Sequence, residues 1–355
     1  MPSTKVLITG GTGFLGTELL RLLTTQTSHS ITALDLNPPP PGTQVFPNVQ
    51  YIRCNVLDSS ALQATFASLK PDAVIHTVGL YYVGDNRYSM KKGDAMFEVN
   101  VEGTSNVVSA AKEAGVRVFV HTSSFAVLVD ELGVDFRNAD EEWSVGKARL
   151  AYGMSKVLEA EKIVLAANSP TFRTCALRSA AIFGPGDPVV IPTIHNLIAR
   201  GETPFVLGSG TNLVEFVHVT NVAHAHLLAL SNLLSSGTAA GEAFYITNGE
   251  PVASRAFCLA IWKHFGHVPP FSVSIPKSLA WWAGWAAEWA AWLTGKESSL
   301  SRGLIMDGSA ERYMNIGKAR KVLGYEVLVG LEDGLRDACE YYKKQLEGRK
   351  VDKTR

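Results

Sequence analysis

The chain has 355 residues, 46% of them hydrophobic and 19% charged, which is typical of a folded globular protein and excludes a disordered one. Lys plus Arg and Asp plus Glu both number 33, so the basic surplus of a nucleic-acid-binding protein is absent. The four cysteines lack metal-ligand spacing and no apolar run is long enough to span a bilayer, so we expect no metal, reduced thiols and a location on the cytoplasmic side.

Short apolar runs alternate with helical patterns through the first half of the chain. This alternation is typical of βαβ units and predicts an α/β protein with a Rossmann-type, doubly wound parallel sheet. The predicted strands are 6–9, 31–35, 50–54, 73–77, 116–122 and 173–178, and the predicted helices are 13–25, 61–69, 97–114 and 147–167.

The pattern changes after the Gly- and Pro-rich segment 184–188, where mixed helices, short strands and turns follow. We therefore predict a nucleotide-binding domain over residues 1–185, rejoined by a returning segment near 214–245. Residues 186–350 are predicted to form most of a smaller, C-terminal substrate-binding cap.

A glycine-rich loop joins the first predicted strand to the first helix. Its glycines satisfy G-x-G-x-x-G, which permits a tight turn, close approach of a pyrophosphate and helix-on-strand packing. The N–H groups at the helix start would then bind the anion. The residues predicted to contact a dinucleotide here are Gly10, Gly13, Phe14, Leu15 and Gly16.

Asp35 follows Gly16 by 19 residues, at the end of the second predicted strand. An acid at this point can accept hydrogen bonds from a ribose 2′-hydroxyl and repels a 2′-phosphate. No Arg or Lys occurs between Asp35 and Arg53, so NAD is favoured over NADP. A solvated aspartate without a ligand is the alternative.

Two segments carry a Tyr and a Lys four residues apart, the spacing that puts both on one helix face. Tyr152 and Lys156 lie in a predicted amphipathic helix, whereas Tyr88 and Lys92 lie in a polar segment without helical periodicity. An adjacent ammonium can lower the pKa of a phenol toward the working pH, so that it takes a proton from an alcohol. We predict that the pair at 152 and 156 does this chemistry, beside the hydroxyl of Ser124.

Several segments together resemble the extended short-chain dehydrogenase/reductase family, over approximately residues 4–345. Within it, the chain is most similar to the 3β-hydroxysteroid dehydrogenase group and, more narrowly, to sterol-4-alpha-carboxylate 3-dehydrogenases (decarboxylating). The segments that carry the family resemblance are 10–16, 100–104, 122–124, 152–156 and 177–186, and those that carry the narrower one are 216–226, 241–251 and 313–325.

The resemblance implies that Tyr152 is the general base, that Lys156 tunes it and binds the nicotinamide ribose, and that Ser124 orients the substrate oxygen. It gives Asn100 a proton-relay or structural role. Three departures from the family pattern are Asn55 for Asp, Ser179 for Pro and Val78 for a small residue. The other cofactor-binding positions implied by the resemblance are Asn55, Val56, Thr77, Val78, Gly79, Ala181 and Ile182, together with Tyr152 and Lys156.

The implied reaction is NAD-dependent oxidation of the 3-hydroxyl of a sterol, steroid or related terpenoid, with loss of an adjacent 4-carboxylate left open. We expect a homodimer with an apolar small-molecule substrate and no nucleic acid. The alternatives are an NADPH-dependent ketone or aldehyde reductase of secondary metabolism, which Asp35 disfavours, and a non-enzymatic nucleotide-sensing protein. Candidate cations for a substrate carboxylate are Arg87, Lys91, Lys92 and Arg149, with solvated surface charge as the alternative reading.

Five of the seven tryptophans fall in segment 279–293, within an arc of ~100° on a helix, with alanines and Gly284 opposite. Tryptophan favours the membrane–water boundary. Peripheral contact with a membrane such as the endoplasmic reticulum and a buried wall of the substrate pocket both remain open. The pair His224 and His226 is interpreted as helix residues with internal partners.

Overall fold

The computed structural model describes residues 3–39, 44–83, 87–88, 93–294 and 300–353. Its strands are β1 Lys5–Thr9, β2 Ser30–Asp35, β3 Val49–Arg53, β4 Ala73–His76, β5 Val118–Ser124, β6 Phe136–Ala139, β7 Arg173–Ser179, β8 Ala181–Phe183, β9 Phe205–Leu207, β10 Leu213–Val214, β11 Phe216–His218, β12 Ala243–Ile246, β13 Val252–Ala253, β14 Val273–Ile275 and β15 Arg312–Met314.

The α-helices are α1 Phe14–Gln26, α2 Ser59–Leu69, α3 Gly93–Phe97, α4 Gly103–Glu113, α5 Ala126–Val129, α6 Lys162–Ala166, α7 Val190–Ala199, α8 Val219–Leu234, α9 Ser254–His264, α10 Lys277–Thr294, α11 Arg302–Gly308, α12 Gly317–Leu323 and α13 Leu331–Lys353. Two π-helical segments, Glu98–Glu102 and Gly153–Glu161, precede α4 and α6 without a break. No helix among the described residues has the length and apolarity needed to cross a membrane.

A seven-stranded sheet in the order β3-β2-β1-β4-β5-β7-β12, parallel throughout, forms the centre of the protein. Its central strands are buried along nearly their whole length because helices cover both faces. Leucines of α1 pack with α8 on one face, and α2, α4 and α6 pack on the other. The predicted Rossmann-type fold is confirmed.

The predicted helix over 147–167 is wrong at its start, since the helix begins only at residue 151. Gly146 has a φ of +110°, a backbone conformation that is incompatible with a right-handed helix. The Asp130 carboxylate accepts a hydrogen bond from the backbone N–H of Gly153 at 2.8 Å and so caps the start of the helix. Tyr152 therefore lies at the first turn of this helix, where its phenol faces the sheet edge.

Outside the large sheet, β13, β10, β15 and β6 form a four-stranded sheet, while β8 pairs with β11 and β9 with β14. The predicted returning segment 214–245 contains α8, which packs on α1, and most of β12, which pairs with β7. Helices α7, α9 and α13 enclose a separate apolar cluster. The division of the chain near residue 185 stays a prediction.

Candidate active site

The glycine loop after β1 has the shape that a dinucleotide pyrophosphate requires. Gly10 has a φ of +78°, and a Cβ there would lie 2.5 Å from Thr77 Oγ1. A Cβ on Gly16 would overlap the carbonyl oxygen of Gly10. No described side chain caps the N-terminus of α1, which leaves its N–H groups for an anion. The residues of this cradle therefore fit the predicted cofactor.

Asp35 lies at the carboxyl end of β2 with its side chain half-exposed. Its Oδ2 accepts a hydrogen bond from the Thr12 backbone at 3.1 Å and its Oδ1 accepts one from Asn37 at 3.3 Å. Arg53 is the partner of Asp35 in the β2–β3 register, and its Nε donates to the Leu36 carbonyl at 3.0 Å. An arginine therefore lies next to Asp35 on the neighbouring strand, although no Arg or Lys lies between the two residues in the sequence.

The segment after β4 joins the cofactor cradle to the proton-transfer residues. Thr77 Oγ1 donates to the Thr9 carbonyl at 2.8 Å, and the Val78 carbonyl accepts a hydrogen bond from Lys156 Nζ at 2.6 Å. A Cβ on Gly79 would lie 3.1 Å from the same ammonium. Val78 therefore contacts Lys156 through its backbone, which reduces the importance of its unusual side chain.

The remaining predicted cofactor positions lie after β3 and within β8. Asn55 is exposed after β3, with its Oδ1 accepting from the Leu57 N–H at 3.1 Å, and Val56 next to it is buried. Ala181 and Ile182 are half-buried in β8. Ser179 is buried behind them, with its hydroxyl 3.4 Å from the Ser123 carbonyl, so this departure does not line an open pocket.

Ser124 ends β5, where its Oγ accepts a hydrogen bond from the Ala126 N–H at 3.2 Å, and its hydroxyl lies close enough to the Tyr152 phenol to affect the pKa of that phenol. Burial raises the pKa of Tyr152 to about 12, against the opposing effect of Ser124. Burial also lowers the pKa of Lys156 to about 7. The phenol's pKa is thus raised in this arrangement, in which the Lys156 amine is hydrogen-bonded to Val78 and the positive charge of Arg87 opposes the rise.

Asn100 is fully buried in the first π-helical segment and holds three parts of the site together. Its Oδ1 accepts from the Leu80 N–H at 2.7 Å, and its Nδ2 donates to the Leu80 carbonyl at 2.9 Å and to Ser155 Oγ at 3.0 Å. These bonds fix the loop after β4 against the helix that carries Tyr152. The geometry supports a positioning role.

Of the second Tyr and Lys spacing, at 88 and 92, the structure describes only Tyr88. The Tyr88 hydroxyl donates to Asp307 Oδ2 at 2.8 Å, and burial raises the pKa of this phenol. Lys92 lies outside the described residues. Tyr88 thus contributes its hydroxyl to an ion-pair cluster that contains Asp307.

Asp130 is a site residue that the sequence reasoning missed. It is fully buried, and besides capping Gly153 it forms an ion pair with Arg87 at 2.8 Å. The sequence did contain a signal for it, because Asp130 directly follows the apolar run 126–129. A charge buried beside such a run requires a partner, which indicates a specific contact. By accepting the Gly153 N–H, Asp130 fixes the first turn of the helix that begins at residue 151.

His226 is satisfied internally, as interpreted from the sequence. Its Nε2 lies 2.8 Å from Thr122 Oγ1 and its Nδ1 lies 2.8 Å from the Val222 carbonyl. Within the described part of the chain, no group of three or more His, Cys, Asp or Glu side chains could hold a metal ion.

Replacing Lys156 with methionine is expected to make the free energy of unfolding less dependent on pH. In the wild type the pKa is about 7 in the fold and near its ordinary value of 10.5 when unfolded, so the unfolded chain binds more protons between these values. The free energy of unfolding of the wild type should then rise with pH by up to about 1.4 kcal/mol per unit. Between pH ~7 and ~9 this increase should exceed that of the variant by about 2 kcal/mol. Urea titrations at several pH values measure this.

The exposed Lys112, changed to methionine, serves as the control for the loss of a lysine. Its pH dependence should match that of the wild type. Equal pH slopes for all three proteins would contradict the lowered pKa of Lys156.

The family model of the 3-beta hydroxysteroid dehydrogenase/isomerase family matches residues 7–277. The chain is 37% identical to sterol-4-alpha-carboxylate 3-dehydrogenase, decarboxylating, of Schizosaccharomyces pombe, over 95% of this chain and 96% of that protein. It is 35% identical to the protein of the same name from Saccharomyces cerevisiae, over 96% and 99%. The Bordetella bronchiseptica enzyme WbmH in complex with NAD⁺ shares the fold, with a TM-score of 0.74 at 18% identity over 96% of this chain and 99% of that one. The predicted resemblance is confirmed, and the chain belongs to the 3-beta hydroxysteroid dehydrogenase/isomerase family.

Proposed function

We propose that this protein oxidises the 3-hydroxyl of a sterol, steroid or related terpenoid to the ketone with NAD⁺, and that an adjacent 4-carboxylate is lost as CO₂. The observation that carries the proposal is the placement of Ser124, Tyr152 and Lys156 together at the carboxyl edge of the sheet that also carries the glycine cradle. The names of the two fungal relatives support the substrate class.

The side chains of the site account for the proton that leaves the alcohol. Ser124 would hold the substrate oxygen, and the Tyr152 phenolate would take the hydroxyl proton. NAD⁺, when bound, supplies the hydride acceptor. Because burial raises the pKa of Tyr152 to about 12, the phenolate needs a nearby positive charge, and Lys156 is the residue able to supply part of it by turning from Val78.

Decarboxylation would follow from the first product without a further catalytic group. Oxidation beside a carboxylate gives a β-keto acid. Its C–C bond to the carboxylate breaks with the electron pair moving into the new carbonyl, which leaves CO₂ and an enolate that is then protonated. Ser124 and the protonated phenol of Tyr152 could hydrogen-bond this enolate oxygen.

Asp35 supports NAD as the cofactor, since its carboxylate would repel a 2′-phosphate. Arg53 beside it is the one feature here that would favour NADP. The carboxylate stands at the end of β2, where the ribose of a dinucleotide is bound in this fold, whereas Arg53 Nε is engaged by Leu36. We therefore favour NAD.

The test is reduced-cofactor formation by the purified protein with a panel of 3-hydroxy sterols, each with and without a 4-carboxylate, in parallel with NAD⁺ and NADP⁺. Turnover with NAD⁺ and release of CO₂ from the carboxylated sterols only is the expected result. Activity confined to NADPH-dependent reduction of small ketones or aldehydes would establish the alternative enzyme. Nucleotide binding with no turnover of any substrate would establish the sensor.

We also propose that α10 contacts a lipid surface, for which the endoplasmic reticulum is the candidate membrane. Trp282, Trp289 and Trp292 are 60%, 51% and 74% exposed, and successive indoles from 281 to 292 stand in edge or tilted contact. Gly284 on the opposite side packs on α11, where a Cβ would lie 2.8 Å from Ile305 Cδ1. An exposed row of indoles supports the membrane option over the buried pocket wall.

Changing Trp282, Trp289 and Trp292 together to alanine is expected to lower binding to phosphatidylcholine vesicles by at least about tenfold, because three indoles no longer enter the interface. Vesicle flotation measures the bound fraction. Trp143, 42% exposed on another part of the surface, is the control when changed to alanine. Unchanged flotation of the triple variant would refute the contact.

The expected homodimer stays a prediction. Size-exclusion chromatography with light scattering, in detergent-free buffer, distinguishes one copy from two.

A further inference from the structure

Four charged side chains form an ion-pair cluster in which Asp130 and Arg312 are buried and Arg87 and Asp307 are partly buried. Arg87 Nη2 lies 2.8 Å from Asp130 Oδ1, and Arg87 Nε lies 3.3 Å from Asp307 Oδ2. Arg312 Nη1 donates to the other oxygen of Asp307. Asp307 therefore joins the two guanidinium groups, one from the segment after β4 and one from β15.

Arg312 has donors left over in this cluster. Its side chain is 6% exposed, yet its Nε and Nη2 have no hydrogen-bond partner among the described residues. These two nitrogens lie on the same side of the guanidinium, where their N–H bonds are parallel and match the two oxygens of a carboxylate. A buried donor without an acceptor lowers the stability of the fold. An acceptor that binds Nε and Nη2 would remove this cost, and the described residues do not supply one.

The cluster adjoins the proton-transfer site. Arg87 lies close enough to the Tyr152 phenol to affect its ionisation, and Asp130 accepts the N–H of Gly153, the next residue. Met314, buried like Arg312 and on the same side of β15, packs in the apolar cluster that the Tyr152 ring contacts. Arg312 is thus linked to the proton-transfer site through the ion-pair cluster and through the apolar cluster that contains Met314.

We propose that Arg312 is the specificity-determining residue that binds a carboxylate on the carbon adjacent to the oxidised carbinol, with its Nε and Nη2 as the donors and Arg87 as the second positive charge. This inference rests on the proposed function, since it assigns a receptor to the 4-carboxylate of that substrate. The carboxylate would complete the hydrogen bonding of Arg312 and stay ionised beside two cations until the C–C bond breaks.

The cations suggested by the sequence fit this role less well. Arg87 already bonds two carboxylates, Asp130 and Asp307, and Arg149 is exposed. Lys91 and Lys92 lie outside the described residues. Arg312 combines a buried guanidinium with a free bidentate edge, the arrangement that a dehydrated carboxylate requires.

The test compares two substrates on wild-type and variant proteins: a 3-hydroxy sterol with a 4α-carboxylate, and the same sterol with a 4α-hydroxymethyl group. Arg312→Gln should raise KM and lower kcat/KM for the carboxylated sterol by about 10- to 100-fold, the range for a hydrogen bond to a charged group. The hydroxymethyl sterol should change by less than about threefold. Arg312→Lys keeps the charge but not the parallel donors, so its kcat/KM for the carboxylated sterol should lie between the values of the wild type and of Arg312→Gln. Arg137→Gln removes an exposed arginine from β6 and should match the wild type.

Thermal unfolding and NADH binding show whether each variant is folded. If Arg312→Gln does not fold, Arg312→Lys decides: a loss confined to the carboxylated sterol supports the inference, and an equal change for both substrates overturns it. If Arg312→Gln folds, the inference is overturned when kcat/KM falls equally for both sterols or does not fall for the carboxylated sterol. A wild type that oxidises neither sterol refutes the proposed function itself, whereas one that oxidises both equally well leaves the dehydrogenase in place and removes the role of Arg312.

Discussion

Replacing Tyr152 with phenylalanine is expected to lower kcat for alcohol oxidation by about 10²- to 10⁴-fold, the usual contribution of a positioned acid–base group. The change removes one oxygen from a ring that packs edge-on against Tyr81, so the fold and the glycine cradle should remain intact. Steady-state kinetics and NADH titration measure the two effects. The affinity for NADH should stay within about threefold of the wild type.

The pH dependence separates a proton-transfer role from a packing role. Because the pKa of Tyr152 is about 12 and that of Lys156 is about 7, the fraction of enzyme with an ionised phenol and a protonated Lys156 should increase as the pH rises toward 7 and level off above it, and kcat/KM should follow. The phenylalanine variant should lose this rise. Tyr51, whose hydroxyl bonds the Phe46 N–H near the sheet edge at 3.2 Å, is the control when changed to phenylalanine. A folded Tyr152→Phe protein with near-normal turnover would remove Tyr152 from the mechanism.

Local patterns were sufficient to predict the sheet and the cofactor cradle. A buried parallel strand is a short apolar run, and the glycine loop follows β1 without interruption, so both are visible over a few consecutive residues. The carboxyl ends of parallel strands share one edge, and the residues predicted near a cofactor accordingly come together there in the structure. Their roles as ligands stay predictions.

Features made by contacts between distant segments could not be predicted in this way. The bond from Arg87 to Asp307 joins residues 220 apart, and no local period relates Arg312 to Tyr152. Arg53 comes beside Asp35 only through the β2–β3 register. The π-helical segments Glu98–Glu102 and Gly153–Glu161 are joined by the hydrogen bond from Asn100 to Ser155, whereas the sequence pattern has an ordinary helical period there.

Changing Gly16 to alanine is the prediction that tests the cradle most directly. Alanine is the better helix former, so propensity alone would stabilise α1. The new Cβ would instead overlap the Gly10 carbonyl and lie 2.8 Å from the Cα of Gly11, and both are backbone atoms that cannot move without opening the loop. The strain should cost about 1–3 kcal/mol. We expect NADH affinity to fall by up to about 100-fold, together with a lower Tm.

Two further glycine variants distinguish the shape of the loop from stability. A Cβ on Gly13 would lie 3.3 Å from the Gly10 carbonyl, so Gly13→Ala should retain most of the wild-type Tm while losing NADH affinity through crowding of the pyrophosphate. A Cβ on the exposed Gly348 of α13 would meet nothing within 4 Å, and Gly348→Ala should therefore bind NADH normally. Equal NADH affinity of Gly16→Ala and Gly348→Ala would show that the loop is not the cofactor site. The reason is that NADH binding in this loop depends on the close approach of Gly16 to the Gly10 carbonyl, which a Cβ on residue 16 would prevent.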